Sequence, residues 1–173
     1  MATIQNVVST CKISQNYINL HDIPEKIKNA HYNPTKFNAA IIKLDEPKAT
    51  ILLFSSGRFV CTGTKNICDN KTACENICRL LGTTCFSEYK IHNVVGSGCV
   101  GHCIDLIGLA NTHKHIVQYE SEIFPGAKIK YPNSKATALI FTSGKIIVTG
   151  LKNEAEVHAF YNKILNLVHN NIY

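Results

Sequence analysis

The stretch FSSGRFVCTG at positions 54–63 returns 87 residues later as FTSGKIIVTG at 141–150. The same offset, without a gap, lays Phe37 on Phe124, Asn6-Val7-Val8 on Asn93-Val94-Val95, and KATILLFSSG (48–57) on KATALIFTSG (135–144). Tyr32 falls on Tyr119, Ile42-Lys43 on Ile129-Lys130, and Thr62-Gly63 with Lys65-Asn66 on Thr149-Gly150 with Lys152-Asn153. One register held over so long a stretch marks a tandem duplication, because a shared hairpin turn would match only locally. The chain is therefore expected to fold as two copies of one unit, residues 1–88 and 89–173.

Each copy reads alike. An alternating strand opens it (Asn6 to Ile13, and again from Asn93), and a helical stretch follows in the first copy over Asp22–Ala30, with Pro24 tolerated in its first turn. Three or four strands and a longer helix complete the unit. The last helix is clearest near the C-terminus. There Asn153 is the expected cap, Glu154 and Glu156 suit the first turn, and Val157, Phe160, Tyr161, Ile164 and Val168 recur at helical spacing. In the first copy Asp69 is the expected cap, with Ala73, Ile77, Leu80 and Leu81 as the apolar stripe.

Successive side chains of a strand point to opposite faces, so Ile51 and Leu53 share one face and Leu52 and Phe54 the other. Both sets are apolar. An antiparallel sheet usually keeps one face for solvent, and this chain has helices enough to cover one side only. Either the second apolar face meets a partner, or the sheet fills an ordinary two-sided core.

Composition excludes several classes. With 173 residues and 45% hydrophobic side chains the chain can bury a sizeable core. No apolar run approaches the length of a membrane span, and the start MATIQN lacks the layout of a secretory signal. No membrane association is expected. Eighteen Lys and Arg against twelve Asp and Glu leave a net charge of +6, which suits a polyanionic partner without specifying one. The eight cysteines are expected to be reduced, buried small hydrophobes. Cys74-x3-Cys78 and Cys99-x3-Cys103 imitate a zinc-ligand spacing. If 99–103 is a strand, however, its two thiols stand roughly 13 Å apart, too far to share one ion. No metal or cofactor is expected, and His102, His113 and His115 read as scattered surface or core residues. No P-loop, HExxH, GxSxG or duplicated carboxylate pair is present, so an enzyme is not expected.

QNVVST (5–10), NAHYNPTKFNAAIIKLDEPKATILLFSSGRFVCTGTKN (29–66), IHNVVGS (91–97), YESEIFPG (119–126) and ALIFTSGKIIVTGLKN (138–153) resemble the core of the TATA-box-binding protein family throughout both repeats. The resemblance implies an α+β saddle, a pseudo-twofold repeat with ten antiparallel strands in one curved sheet and four helices on the convex side. It implies that the concave apolar face sits on a DNA minor groove, with wedges between base steps, as is established for that family. Phe37, Phe54, Phe124 and Phe141 match the wedges. Burying four Phe side chains contributes roughly 6–12 kcal/mol, comparable with unstacking two base steps at a few kcal/mol each. The rest of the face and the phosphates must then add to affinity.

Asn6 and Asn93 match the pair at the saddle's centre, flanked by Thr62 and Thr149. Val8, Val95, Leu52, Leu139, Val60, Ile147 and Pro125 match the apolar minor-groove contacts. Such a surface reads A·T against G·C, because the guanine N2 amino group blocks it. Lys36, Lys43, Ser56, Arg58, Lys65, Lys130, Ser143, Lys145 and Lys152 match the phosphate-facing rim. Glu120, Glu122 and Ile123 match the second repeat's stirrup, where the family docks transcription factor IIB or its archaeal counterpart.

The chain departs from the family pattern in three places. Asn38 stands where the family has Ala beside the wedge, placing a polar group at one kink. The helix ICDNKTACENICRLLG (67–82) carries only Lys71 and Arg79 where the family has a basic face, and about four residues are missing before Phe86. Partners that use that face, transcription factor IIA or negative regulators, are expected to bind poorly. VGSGCVGHCID, with Gly at 98, is richer in Gly and Cys than the family pattern.

The expected function is that of a general initiation factor that binds and bends A·T-rich duplex DNA and recruits a IIB-like factor and RNA polymerase in the nucleus, or at the site of transcription in a virus or archaeon. A second reading is a diverged interaction protein, a decoy or specialised factor, that keeps the stirrup and binds DNA weakly. A third borrows this fold as an accessory domain of a nucleic-acid enzyme, but no catalytic partner domain is evident. Free of DNA, the exposed apolar face is expected to favour self-dimerisation.

Overall fold

The computed structural model describes residues 1–83 and 85–169, and contacts divide the chain at His92/Asn93. One unit spans Asn6–His92, and the other takes Met1–Gln5 together with the chain from Asn93 onward.

The Asn6–His92 unit is built from β1 (Thr3–Ile13), a short 3-10 turn, α1 (Ile23–Lys26), β2 (Ala30–His31), β3 (Ala40–Leu44), β4 (Ala49–Leu53), β5 (Arg58–Thr64) and α2 (Ile67–Leu80), and it runs into β6 (Phe86–Cys99). Its strands hydrogen-bond in the antiparallel order β2-β3-β4-β5-β1. The other unit continues with α3 (Leu106–Thr112), β7 (Val117–Gln118), β8 (Gly126–Lys130), β9 (Thr137–Phe141), β10 (Lys145–Leu151) and α4 (Glu154–Val168). Its antiparallel order is β6-β10-β9-β8-β7. The described residues thus contain ten strands and four α-helices, the α+β class expected.

The repeated hairpin turns need their glycines. Gly57 and Gly144 hold φ of +77° and +82°, and a Cβ there would lie 2.2 Å from the Gln15 carbonyl oxygen and 2.3 Å from that of His102. Each long helix starts on an asparagine. The Asn66 side chain accepts from the Asp69 amide at 2.7 Å, while the Asp69 carboxylate accepts from Asn66 Nδ2 at 2.8 Å. The cap of α2 is therefore Asn66 and not Asp69, which occupies the first turn and braces the cap. Asn153 caps α4 in the same way, accepting from Glu156 N at 2.8 Å.

Three other local expectations are corrected. The helix over 22–30 is limited to Ile23–Lys26, because Ile27 turns extended and Asn29 adopts φ +62°, releasing Ala30–His31 to pair with β3. Leu80 is exposed, and the buried stripe of α2 is Asn70, Ala73, Cys74, Ile77 and Cys78. Finally, β6 ends at Cys99 and a turn follows through Gly101, so 99–103 is not a strand. Only Cys11, Cys61, Cys74 and Cys78 are buried; Cys68, Cys85, Cys99 and Cys103 are exposed.

Each unit buries one face of its strands against its long helix. Ile42, Ile51, Leu53, Phe59 and Cys61 pack with Ala73 and Ile77 in the first unit, and the second buries Ile129, Ile140, Ile146 and Val148 along with Val157, Tyr161 and Ile164. Where helix meets opening strand, the repeats solve one packing problem in opposite ways. In the first, strand residues Ser9 and Cys11 meet helix residues Asn70 and Cys74, with Ser9 Oγ 2.5 Å from Asn70 Oδ1 and Cys11 Sγ 3.5 Å from Cys74 Sγ. In the second the matching strand residues are Gly96 and Gly98, and the helix supplies Val157 and Tyr161. Side chains removed from the strand are replaced by larger ones on the helix, which accounts for the Gly-rich start of the second repeat.

Asn70 is the polar hub of the first arrangement. It donates to Val7 O (3.3 Å) and Thr64 Oγ1 (3.1 Å) and accepts from Ser9 and from Tyr89 Oη (3.0 Å). Burial pushes the Tyr89 phenol up to about 12, so it stays a donor. Hydrogen bonding to Cys74, then burial, raises the Cys11 and Cys61 thiols, which keeps them neutral. Asn70→Leu strands these buried partners and should lower unfolding free energy in urea by about 2 kcal/mol. Reintroducing the second repeat's pattern, Ser9→Gly with Asn70→Val, should recover part of that loss.

Candidate nucleic-acid interface

The strand face opposite the helices is half-buried and apolar. Pairing registers set Ile41, Leu52, Val60 and Thr10 side by side across β3, β4, β5 and β1. In the second unit Lys128, Leu139, Ile147 and Ser97 form the equivalent row across β8, β9, β10 and β6. Leu52, Val60, Leu139 and Ile147 are half-buried, as are Val8 and Val95, whereas the neighbours pointing the other way, such as Ile51, Leu53 and Ile140, are fully buried. The ordinary two-sided core considered from the sequence is therefore not what these strands form. One face is a core, and the other is half-buried and carries no helix among the described residues.

At the edge of this face the phenylalanines pair within each unit. Phe37 and Phe54 meet edge-on with ring centroids 6.4 Å apart, and Phe124 and Phe141 do so at 5.9 Å. Phe37 and Phe124 are 44% and 40% exposed, far from the complete burial of Phe59. Gly126 lets the second pair close up, since a Cβ there would come within 2.8 Å of the Phe124 ring and 3.0 Å of the Phe141 ring. Pro125 is exposed beside them.

Asn6 and Asn93 are held in one orientation. Asn6 Oδ1 accepts from Gly63 N at 2.7 Å and from Thr62 Oγ1 at 3.1 Å. Asn93 Oδ1 accepts from Gly150 N at 2.8 Å, and its amide lies 3.1–3.2 Å from Thr149 Oγ1. With the oxygen fixed by a backbone N–H, the Asn6 NH2 has no partner among the described residues, whereas Asn93 Nδ2 donates to Thr149 Oγ1 at 3.1 Å and keeps one further N–H. A spare amide donor on an otherwise apolar face is suited to an acceptor such as adenine N3 or thymine O2.

The rim residues Lys36, Lys43, Ser56, Arg58, Lys65, Lys130, Ser143, Lys145 and Lys152 are all exposed. Arg58 is already engaged: its Nη2 lies 2.7 Å from Glu88 Oε2, so an anion shares the guanidinium with that carboxylate. Sequence reasoning missed this pair, because Glu88 lies in the opposite strand region far along the chain. It also missed Thr10 and His92, joined at 2.7 Å between Thr10 Oγ1 and His92 Nε2. Thr10 could have been found, since it follows Asn6 and Val8 at strand alternation.

Around the stirrup, Glu120, Glu122 and Ile123 are exposed, with Ile123 at 79%. Together with Tyr119 and the α3 residues Ile107 and Ala110 they line a groove of about 420 Å³. Among the described residues no group of three or more His, Cys, Asp or Glu side chains is placed to hold a metal ion.

Comparison with known proteins follows the same duplication. The family model described as "Transcription factor TFIID (or TATA-binding protein, TBP)" matches residues 1–84 and again 88–171. The chain is 40% identical to the TATA-box-binding protein of Tetrahymena thermophila over 96% of this chain and 69% of that one. It is 39% identical to that of Acetabularia peniculus over 93% of this chain and 86% of that one. It spans 53% of the length of the Bombyx mori protein of the same name, to which it is 40% identical. Among solved structures, Methanococcus jannaschii TBP superposes with a TM-score of 0.82 at 32% identity, covering 98% of both chains.

Proposed function

Because the chain belongs to the TATA-binding protein family of transcription factors, we propose that it binds A·T-rich duplex DNA through the minor groove, bends it, and recruits a transcription factor IIB-like protein. The observation that carries this reading is the duplicated half-buried face, bare of helices among the described residues and bordered by a partly exposed phenylalanine pair in each unit. Water is a poor partner for such a face, and a shallow groove lined by sugars and base edges is a good one.

The roles follow from position. Phe37, Phe54, Phe124 and Phe141 are the wedges. Asn6 and Asn93 donate to A·T acceptors, and Val8, Val95, Leu52, Leu139, Val60, Ile147, Thr62, Thr149 and Pro125 fill the groove and reject the guanine amino group. The exposed cations and Ser56 and Ser143 hold phosphates. The groove beside Ile123, acidic at Glu120 and Glu122 and apolar at Ile107, suits a basic, partly apolar partner surface, which we assign to the IIB-like factor. The nucleus, or the site of transcription, is the compartment this activity requires.

A gel-shift titration across salt tests the DNA reading. About six neutralised phosphates give a log–log slope near −5, and an A·T-rich duplex should be bound at least tenfold more tightly than a G·C-rich one. Equal affinity for both duplexes would defeat groove reading. Binding of the IIB-like factor without any duplex binding would favour the decoy, for which the Arg58–Glu88 pair and Asn38 are the supporting observations.

A further inference from the structure

Cys11, Cys61, Cys74 and Cys78 are buried in the Asn6–His92 unit, and three of them meet where α2 packs on β1 and β5. The Cys11 thiol donates to Cys74 Sγ at 3.5 Å, and Cys61 hydrogen-bonds to the same sulfur. Packing alone does not call for sulfur here. The 87-residue offset places Gly98, Val148 and Tyr161 opposite Cys11, Cys61 and Cys74, so the second unit closes the same space without a thiol.

Two thiols in contact between a strand and a helix can be joined. A disulfide holds its sulfurs about 2.05 Å apart, so Cys11 and Cys74 must close by about 1.5 Å, a distance within reach of side-chain rotation. The two sulfurs also differ in the sense such a reaction needs. Hydrogen bonds from Cys11 and Cys61 lower the Cys74 thiol pKa against the opposing pull of burial, which favours the nucleophilic thiolate there. The Cys11 thiol, raised by the same contact, keeps its proton.

We propose that Cys11 and Cys74 form a peroxide-oxidisable pair, a modification site whose product is a disulfide stapling α2 to β1. The Cys74 thiolate attacks one oxygen of hydrogen peroxide. An S–O bond forms, the O–O bond breaks, and the departing hydroxide takes a proton from solvent to become water. Cys11 then attacks the sulfenic sulfur. The S–S bond forms as the S–O bond breaks, and the Cys11 proton leaves with the hydroxide as a second water. Each peroxide is reduced by two electrons as the two thiols are oxidised. A small oxidant suits the site, because Cys78, one helical turn beyond Cys74 on the same buried stripe, lines a groove of about 270 Å³ with Cys85. On β1, Asn6, Val8 and Thr10 alternate with the buried Ser9 and Cys11, so the bond braces from behind a strand of the half-buried face.

Peptide mapping tests the pair. Cys68, Cys85, Cys99 and Cys103 are exposed, so replacing each by serine leaves the fold and only the four buried thiols. This protein is treated with hydrogen peroxide, alkylated in urea and digested with trypsin without reduction. Cleavage after Lys12, Lys71 and Arg79 makes the expected product peptide 1–12 joined to peptide 72–79. Free thiols should fall from four to two, and the melting temperature should rise by roughly 4–12 °C, returning to its starting value with a phosphine reductant. Adding Cys78→Ser should preserve the cross-link, which assigns it to Cys74, and adding Cys11→Ala should abolish it. If Cys11→Ala does not fold, the peptide map of its parent decides alone. A bond made by Cys61 or Cys78 in place of this pair, pairings as mixed as those of the urea-unfolded chain, or four thiols still free in the folded protein would overturn the proposal and leave the cluster as packing.

Discussion

Gly98→Ala should destabilise the protein by about 3 kcal/mol, lowering the melting temperature by roughly 6–12 °C for a chain of this size. The expected clash is direct. A Cβ at Gly98 would lie 2.2 Å from Tyr161 Oη, 2.6 Å from Cζ and 3.0 Å from Cε2. The tyrosine cannot swing aside, because it is among the largest fully buried side chains, on a helix packed against the sheet. Removing the hydroxyl with Tyr161→Phe leaves the ring carbons in the way, so it should rescue little. Tyr161→Cys, which copies Cys74 of the other repeat, should rescue more, and the pair should be non-additive by about 1–3 kcal/mol in a double-mutant cycle followed by urea unfolding. Additive effects would mean that Gly98 and Tyr161 do not share the space ascribed to them.

Phe37→Ala and Phe124→Ala should each weaken binding to an A·T-rich duplex about ten- to hundredfold, with the fold retained. A buried phenylalanine contributes roughly 1.5–3 kcal/mol, and 1.4 kcal/mol is a factor of ten. Their rings are 44% and 40% exposed in the free protein, so truncation removes less from the protein's own core than from a complex. The contrast is with Phe59, fully buried on the opposite face, whose truncation should unfold the protein first. Anisotropy titrations paired with thermal melts separate the cases: lost binding at unchanged melting temperature is expected for the first two and not for the third.

Much of the architecture could be read from the repeat alone. Because the offset of 87 residues carries Asn6 onto Asn93 and Phe54 onto Phe141, the strands, turns and their two faces follow in duplicate. What escaped was set by tertiary neighbours. Asp69 is a better cap by residue type than by place, since the chain turns at Asn66 and leaves the aspartate to brace it. Leu80 falls beside the stripe of Asn70, Ala73, Cys74, Ile77 and Cys78, which Leu81 continues against the core, so it is exposed. Gly98 stood out as unusual, yet its reason lies in Tyr161 of α4, far along the chain. The Thr10–His92 and Arg58–Glu88 pairs join strands distant in sequence, and no local pattern announces either.

What the half-buried face of the strands does to a duplex is the decisive property. End-to-end energy transfer on a short A·T-rich duplex labelled at both termini, read as the unmodified protein is added, measures that directly. A saturable rise in transfer, abolished by Phe37→Ala with Phe124→Ala and weakened by salt, is the expected result. Saturable binding with no change in transfer, or a rise that survives loss of both phenylalanines, would contradict it.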